Sequence, residues 1–397
     1  MKNKGHLNYL KIHILRLFAV LVIVVGCKND DNGVQIYEEV EEVAAPEGVI
    51  TLANLEKQLK ISLDDGSLLE ESVVARNFGS IVHEGNHYQF ESNTFEKISS
   101  NGIIVWTKTY TEEVDKSIEL EADNIVFYEN KAFISYRILD TNTYASEYFL
   151  EALDLDNGNS FWSLNVGHRT IPHIYKNRLV TVQYPNGNAP VVFQYRNKSV
   201  GDVEAEKTLN DRIGGFVFDS DLIIANSWSD RVFAMDRALN IVWNYDTGAE
   251  NPRRGSIFQN QYIFYSRDKH LYSLDKNSGL LNWKTALPEP NILGIHNYAE
   301  YTYVGQETGT KTMTLSKIKN ENGALETSFE MPMSEDYYTT KLIFHKEYLL
   351  LVTSPNSDEN ENQIQVKLIH LPQSKEVWSV NHNIRIRSLK ANILSND

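Results

Sequence analysis

Residues 271–283, LYSLDKNSGLLNW, carry the pattern that most limits what this chain can become: a strand, a tight turn and a second strand ending in Trp. Leu271 to Asp275 alternate as a half-buried strand does, Lys276 to Gly279 supply turn formers, and Leu280 to Trp283 resume the apolar run. The unit reads as a β-hairpin, and it recurs. ALDLDNGNSFW (152–162) keeps the step from Asp to Trp, with Gly158 and Gly279 both four residues before the Trp. AMDRALNIVW (234–243) is one residue shorter, ISSNGIIVW (98–106) is a weaker copy, KIKNENGALET (317–327) puts Thr327 at the Trp position, and LIHLPQSKEVW (368–378) restores the Trp.

A second hairpin lies ahead of each of these. SIVHEGNHYQF (80–90), HIYKNRLVTV (173–182), SIFQNQYIFYS (256–266) and KLIFHKEYLLLV (341–352) share the form of apolar strand, short polar turn, apolar strand. Two hairpins make four antiparallel strands per unit, and Trp243 to Trp283 spans 40 residues. Four strands at a period near 40 to 45 residues mark a β-propeller blade. Seven complete units span about 78–381, one of which, at 170–209, has no recognisable Trp hairpin. The remainders, 49–76 and 382–394, are together the length of one more unit. QLKISLDDGSLLEE (58–71) looks like a Trp hairpin without its Trp, and IRIRSLKANIL (384–394) looks like an inner strand entering a turn. The expectation is an all-β, eight-bladed propeller closed by N- and C-terminal strands, because closure removes sheet edges that invite aggregation. Seven blades is the alternative.

The repeat resembles the pyrroloquinoline-quinone repeat, whose blades carry Ala-x-Asp-x-x-Thr-Gly-x-x-x-Trp. Ala152, Asp154, Gly158 and Trp162 fit it with Asn157 in the Thr place, and Ser273, Asp275, Ser278, Gly279 and Trp283 fit it with Ser for both Ala and Thr. The resemblance implies that Trp106, Trp162, Trp243, Trp283 and Trp378 pack between neighbouring blades, with the small residue on the adjacent strand leaving room for an indole. The same repeat occurs in quinone-dependent dehydrogenases and in a lipoprotein that helps assemble outer-membrane proteins, and the fold alone does not choose between them. The enzymes hold their cofactor over a channel floor with Ca²⁺ and an Asp base, and many add a vicinal cysteine pair. With one cysteine in 397 residues no such pair exists here, and no base or calcium ligand maps onto this sequence. A non-catalytic binding or scaffold module without a cofactor is therefore the reading, and a propeller enzyme, quinone-dependent or acting on a polysaccharide, is the alternative.

The chain's address is written at its start. Lys2, Lys4, Lys11 and Arg16 precede or flank the uncharged run from Leu17 to Gly26, which is shorter than the ~20 residues a membrane-spanning helix needs. Residues 1–26 read as a secretory leader. Val24, Val25, Gly26 and Cys27 resemble the bacterial lipoprotein processing box, which implies diacylglycerol on Cys27 and a membrane partner through that lipid. A lone cysteine allows no intramolecular disulfide. Residues 27–48, polar and acidic, read as a tether, and 49–397 as the propeller. Lys28, Asp30 and Asp31 also resemble the export signal that sends lipoproteins of Bacteroidota to the outer face of the outer membrane. The net charge is −15 and becomes more negative once the cationic leader is removed, which argues against nucleic acid as a partner.

Three constellations could carry chemistry. His83-Glu84-Gly85-Asn86-His87 matches the His-Glu-x-x-His string of zinc proteases, but that string needs a helix, and here Gly85 and Asn86 sit where the repeat turns. A hairpin turn is expected there and no metal. Asp154, Asp156 and Asn159 suggest a calcium loop, yet Gly158 stands where an oxygen ligand is required. Bonds from Asp and Asn to their own turn explain them better. Arg169, Arg212, Arg253 and Arg254 each lie just before an inner strand, so the topology gathers them at one mouth of the channel, with Trp228 and Tyr184 in middle turns on the same face. Basic residues converging on an acidic protein point to an anionic ligand, a uronic-acid glycan or an acidic segment of an envelope protein. Pairing with neighbouring carboxylates is the competing expectation.

Overall fold

Two-residue turns set the frame of the repeats. In blades 2, 3, 4, 6, 7 and 8 as numbered below, the first turn residue, Glu84, Glu129, Lys176, Gln259, Ala299 or Lys346, has φ between 48° and 52°. Positive φ at that position gives the hairpin a twist that matches its strands. The computed structural model describes residues 47–395 apart from 54–56, 74–80, 92, 114, 121–123, 186–189, 249–250, 254, 289–290, 309–311, 333–336, 356–362 and 385–389. Cys27, the leader and most of the tether lie outside the described residues, as does Arg254.

The strands form eight antiparallel sheets arranged in a ring as a propeller. Blade 1 joins the two ends of the chain, and blades 2 to 8 follow at 81–109, 116–165, 169–209, 213–246, 256–286, 291–332 and 337–383. In blade 1, Lys390–Ser395 is the first strand and pairs with Gly48–Ala53 from Gly48↔Ser395 to Ala53↔Lys390; Lys57–Ser62 and Leu68–Val73 complete the sheet. The first strands of blades 6, 7, 8 and 1 touch one another in turn, which makes them the inner layer. Blade 3 departs from four strands: its inner strand is broken into Lys116–Glu119 and Ile125–Tyr128, both paired to the long strand Lys131–Asp140. The unit at 170–209 closes with a regular hairpin, Val191–Arg196 and Val203–Leu209, with Ala205 in the Trp place.

The apolar core is distributed around the ring, since each buried cluster draws on two consecutive blades. The outer strands Ile104–Thr109, Ser160–Asn165, Ile241–Asp246 and Leu281–Ala286 share one burial pattern, in which only the third residue, Trp, is buried. Each indole reaches into the next blade. Nε1 of Trp106, Trp162, Trp243, Trp283 and Trp378 donates to the carbonyl of Leu155, Lys198, Lys276, Asn320 and Leu63, at 2.8 to 3.1 Å. The ring lies on the turn glycine of that next blade: a Cβ on Gly158, Gly201, Gly279, Gly323 or Gly66 would stand 2.7 to 2.9 Å from the incoming indole. Those glycines have φ from 72° to 81°, so two independent constraints select Gly there.

Three interfaces lack the pair. Glu70, Ala205 and Thr327 occupy the Trp place in blades 1, 4 and 7. The turns that follow hold Gly102 with nothing within 4 Å of its would-be Cβ, Leu239 with φ 64°, and Ser374 with φ 51°. Leu239 is buried in the cluster against which Ala205 packs, so between blades 4 and 5 the large and small residues have changed sides.

His83 to His87 form the first turn of blade 2, with His83↔Asn86 closing the hairpin and the His83 ring stacked on Phe127 at 4.3 Å. Among the described residues no group of three His, Cys, Asp or Glu could hold a metal. Asp154 accepts from the amide of Asp156 at 2.8 Å, and Asn130 bridges Asp154 and Asp156. Asp275 likewise accepts from Asn277 and Ser278 within its own turn.

Candidate functional site

Chain entering a blade and chain in its middle turn meet on one face, here the upper face; the turns that receive the tryptophans lie on the lower one. Arg169 opens the strand Arg169–Tyr175 opposite Tyr184, and its guanidinium carbon lies 5.9 Å from the Tyr184 ring. Arg212 and Arg253 meet at a single indole, at 4.3 Å and 5.2 Å from the ring of Trp228. The structure thus brings Arg212, Trp228 and Arg253 together and sets Arg169 with Tyr184 on the preceding blade. Guanidinium groups near an aromatic ring are attracted by its quadrupole, and the ring fixes their orientation.

The scaffold of this triad is backbone. The Trp228 amide donates to Arg212 O at 2.7 Å. Arg253 is tied twice, its amide to Tyr265 O at 2.8 Å and its carbonyl to Nδ2 of Asn226 at 2.8 Å. Asn226 is fully buried and accepts from the Tyr262 hydroxyl, so a core side chain locates the arginine. Gly214 leaves space for the indole: a Cβ there would stand 2.8 Å from Nε1 of Trp228. Trp228 itself is 37% exposed. The carboxylate nearby is engaged elsewhere, Asp211 pairing with Arg231 at 2.9 Å and accepting from Ser229 at 3.2 Å. Arg231, which is not among the arginines expected at the mouth, takes this carboxylate, whereas Arg212 and Arg253 stand over an aromatic ring.

A cleft of ≈ 270 Å³ opens beside Arg253, lined by Gly255, Ser256, Tyr265, Ile292, Leu293, Gly294 and Ile295. It lies between the first strands of blades 6 and 7. Leu293 is a bulged residue, passed over by the register shift from Ile292 to Gly294, and it is 38% exposed. Burial raises the Tyr265 hydroxyl above its ordinary pKa, and the Arg253 charge offsets part of that rise. On the other side of Arg253, Asn251 is buried at φ 65° with its Oδ1 lacking a hydrogen-bond partner. An unpaired buried acceptor is costly unless a ligand or water completes it.

Sequence reasoning named Arg169, Tyr184, Arg212, Arg253 and Trp228 but not Asn226 or the cleft. The signal available was glycine: Gly214, Gly255 and Gly294 stand three or four residues before the last residue of the inner strand in three consecutive blades. Each bares backbone where a Cβ would strike a neighbour.

No family model matches this chain, and no curated protein matches it. Solved structures do. AztD from Citrobacter koseri is 13% identical with a TM-score of 0.56, over 89% of this chain and 99% of that one. The quinohemoprotein alcohol dehydrogenase of Comamonas testosteroni is 9% identical with a TM-score of 0.51, over 78% and 67%. BamB from Moraxella catarrhalis is 12% identical with a TM-score of 0.49, over 77% and 92%. At such identities a likeness carries the fold alone, an eight-bladed β-propeller.

Proposed function

We propose that the mature chain is a non-catalytic binding lipoprotein of the outer membrane, held by lipid on Cys27 through the tether at 27–48, and that its upper face receives an anionic ligand. The observation that carries this reading is the convergence of Arg212 and Arg253 on the exposed Trp228 in a protein of net charge −15. A positive corner on an acidic surface selects anions, and its field weakens as salt rises.

The test is capture from the protein's own envelope with the anchored chain and its Trp228→Ala and Arg253→Ser variants, analysing both glycans and proteins. A species retained by the wild type, lost with either variant and eluted by salt supports the reading. Equal retention by all three proteins refutes it, and melting curves of the variants exclude unfolding as the cause.

A further inference from the structure

The arginine corner and the cleft adjoin. Arg253 is two residues from Gly255 and hydrogen-bonded to Tyr265, both of which line the cleft. A ligand drawn by the guanidiniums therefore extends into an apolar wall of Ile292, Leu293 and Ile295, with bare backbone at Gly255 and Gly294. At ≈ 270 Å³ the space is smaller than the ~300 to 1,000 Å³ typical of sites for whole small molecules. It suits one side chain. A sugar ring asks for planar polar side chains around its hydroxyls, and of the lining side chains only Ser256 and Tyr265 carry a polar group. Ser256 already accepts from Asn297 at 2.7 Å. An extended peptide asks for an apolar slot and for backbone partners. The slot is there, and Leu293 stands outside the ladder register.

We infer that this corner binds an acidic peptide segment, seating one carboxylate on Arg212 and Arg253 and the neighbouring apolar side chain in the cleft between blades 6 and 7. The inference rests on the binding-module reading above and names its partner class.

The experiment is fluorescence anisotropy on the full chain with labelled peptides containing Asp-Phe, Asn-Phe or Asp-Gly, and with labelled oligogalacturonate as the rival. The Asp-Phe peptide should bind, and the Asn and Gly replacements should each weaken it by about ten-fold or more, as loss of a charge-assisted hydrogen bond or of a buried side chain does. Arg253→Ser should remove the preference for Asp over Asn and keep that for Phe over Gly. Leu293→Ser, at an exposed position that tolerates the change, should do the reverse. Oligogalacturonate binding that depends on Arg253, with no peptide binding, overturns the peptide and leaves the binding-module reading standing. Binding of none of the probes, or equal binding of Asp and Asn peptides, overturns the inference; if capture from the envelope also fails to depend on Trp228, the wider reading falls with it.

Discussion

Gly102 and Gly323 offer a controlled comparison inside one molecule. Both occupy the same turn position, with φ 81° and 73°, but a Cβ on Gly102 meets nothing within 4 Å, while one on Gly323 stands 2.8 Å from Cδ2 and Cε3 of Trp283 and 2.7 Å from Oγ1 of Thr285. Gly102→Ala should cost only the left-handed backbone penalty, about 1 to 2 kcal/mol. Gly323→Ala adds overpacking of about 1 to 3 kcal/mol against a buried indole, about 2 to 5 kcal/mol in all. Trp283→Ala, at 7% exposure and with its bond to Asn320 lost, should cost about 3 to 5 kcal/mol alone. With Trp283 gone the new methyl loses its clash with the indole and keeps only that with Oγ1 of Thr285, so the double variant should be at least about 0.5 kcal/mol more stable than the sum of the singles predicts. Urea unfolding followed by far-ultraviolet circular dichroism measures all four proteins without relying on the tryptophan signal. Equal losses at Gly102 and Gly323, or strict additivity in the double variant, would refute the role assigned to the Trp and Gly contact between blades.

Removing residues 390–397 deletes the inner strand of blade 1 and exposes the edge at Gly48–Ala53, so aggregation or a large fall in melting temperature is expected, and an unchanged melting curve would contradict ring closure. Cys27→Ala should move the protein out of the detergent phase in a phase-separation assay; unchanged partitioning would argue against lipidation. Burial disfavours the charged form of Asp275, but bonds from Ser278, Asn277 and Asn260 outweigh it and hold the carboxyl below its ordinary 3.8. With the folded pKa below the unfolded one, the stability Asp275 contributes is complete above about pH 4 and is lost as pH falls through the folded pKa. The gap in melting temperature between wild type and Asp275→Asn should accordingly narrow below about pH 4, and a constant gap would count against it.

The blade count was legible because each repeat advertises its turns, and because the unmatched ends at 49–76 and 382–394 supply complementary parts of one sheet. His83 to His87 were legible as a turn for the same reason. What sequence spacing concealed was partnership. Gly279 stands four residues before Trp283, which suggests one hairpin, yet Gly279 receives Trp243 and Trp283 rests on Gly323. The expected small neighbour is also real but partial: Ala152, Ala234 and Ser273 face their tryptophans across the strand pair, while Lys97 and Leu368 hold that place opposite Trp106 and Trp378. The break in the inner strand of blade 3 leaves no mark in a period-2 pattern. At the upper face the topology gathered the arginines, but which of them meet depends on the direction of Trp228 and on the space at Gly214. The cleft arises from a bulge at Leu293, a local slip that residue types do not announce.

The tryptophan contacts divide the ring into three arcs: blades 2 to 4, blades 5 to 7, and blades 8 and 1. Within an arc each sheet is bolted to the next by an indole, and between arcs it is not. Thermal opening of a closed ring should begin where the bolts are missing, so amide exchange should fall into three cooperative groups. The bolt from Trp378 to Gly66 falls in the arc that contains the chain's own ends, where a ring has most reason to part. Arg212, Trp228, Arg253 and both walls of the cleft are carried by the arc of blades 5 to 7 and its entering connection. The proposed recognition surface then moves as one piece, and a ligand bound there would meet groups already in their bound arrangement, which spares it the ordering cost that weakens mobile sites.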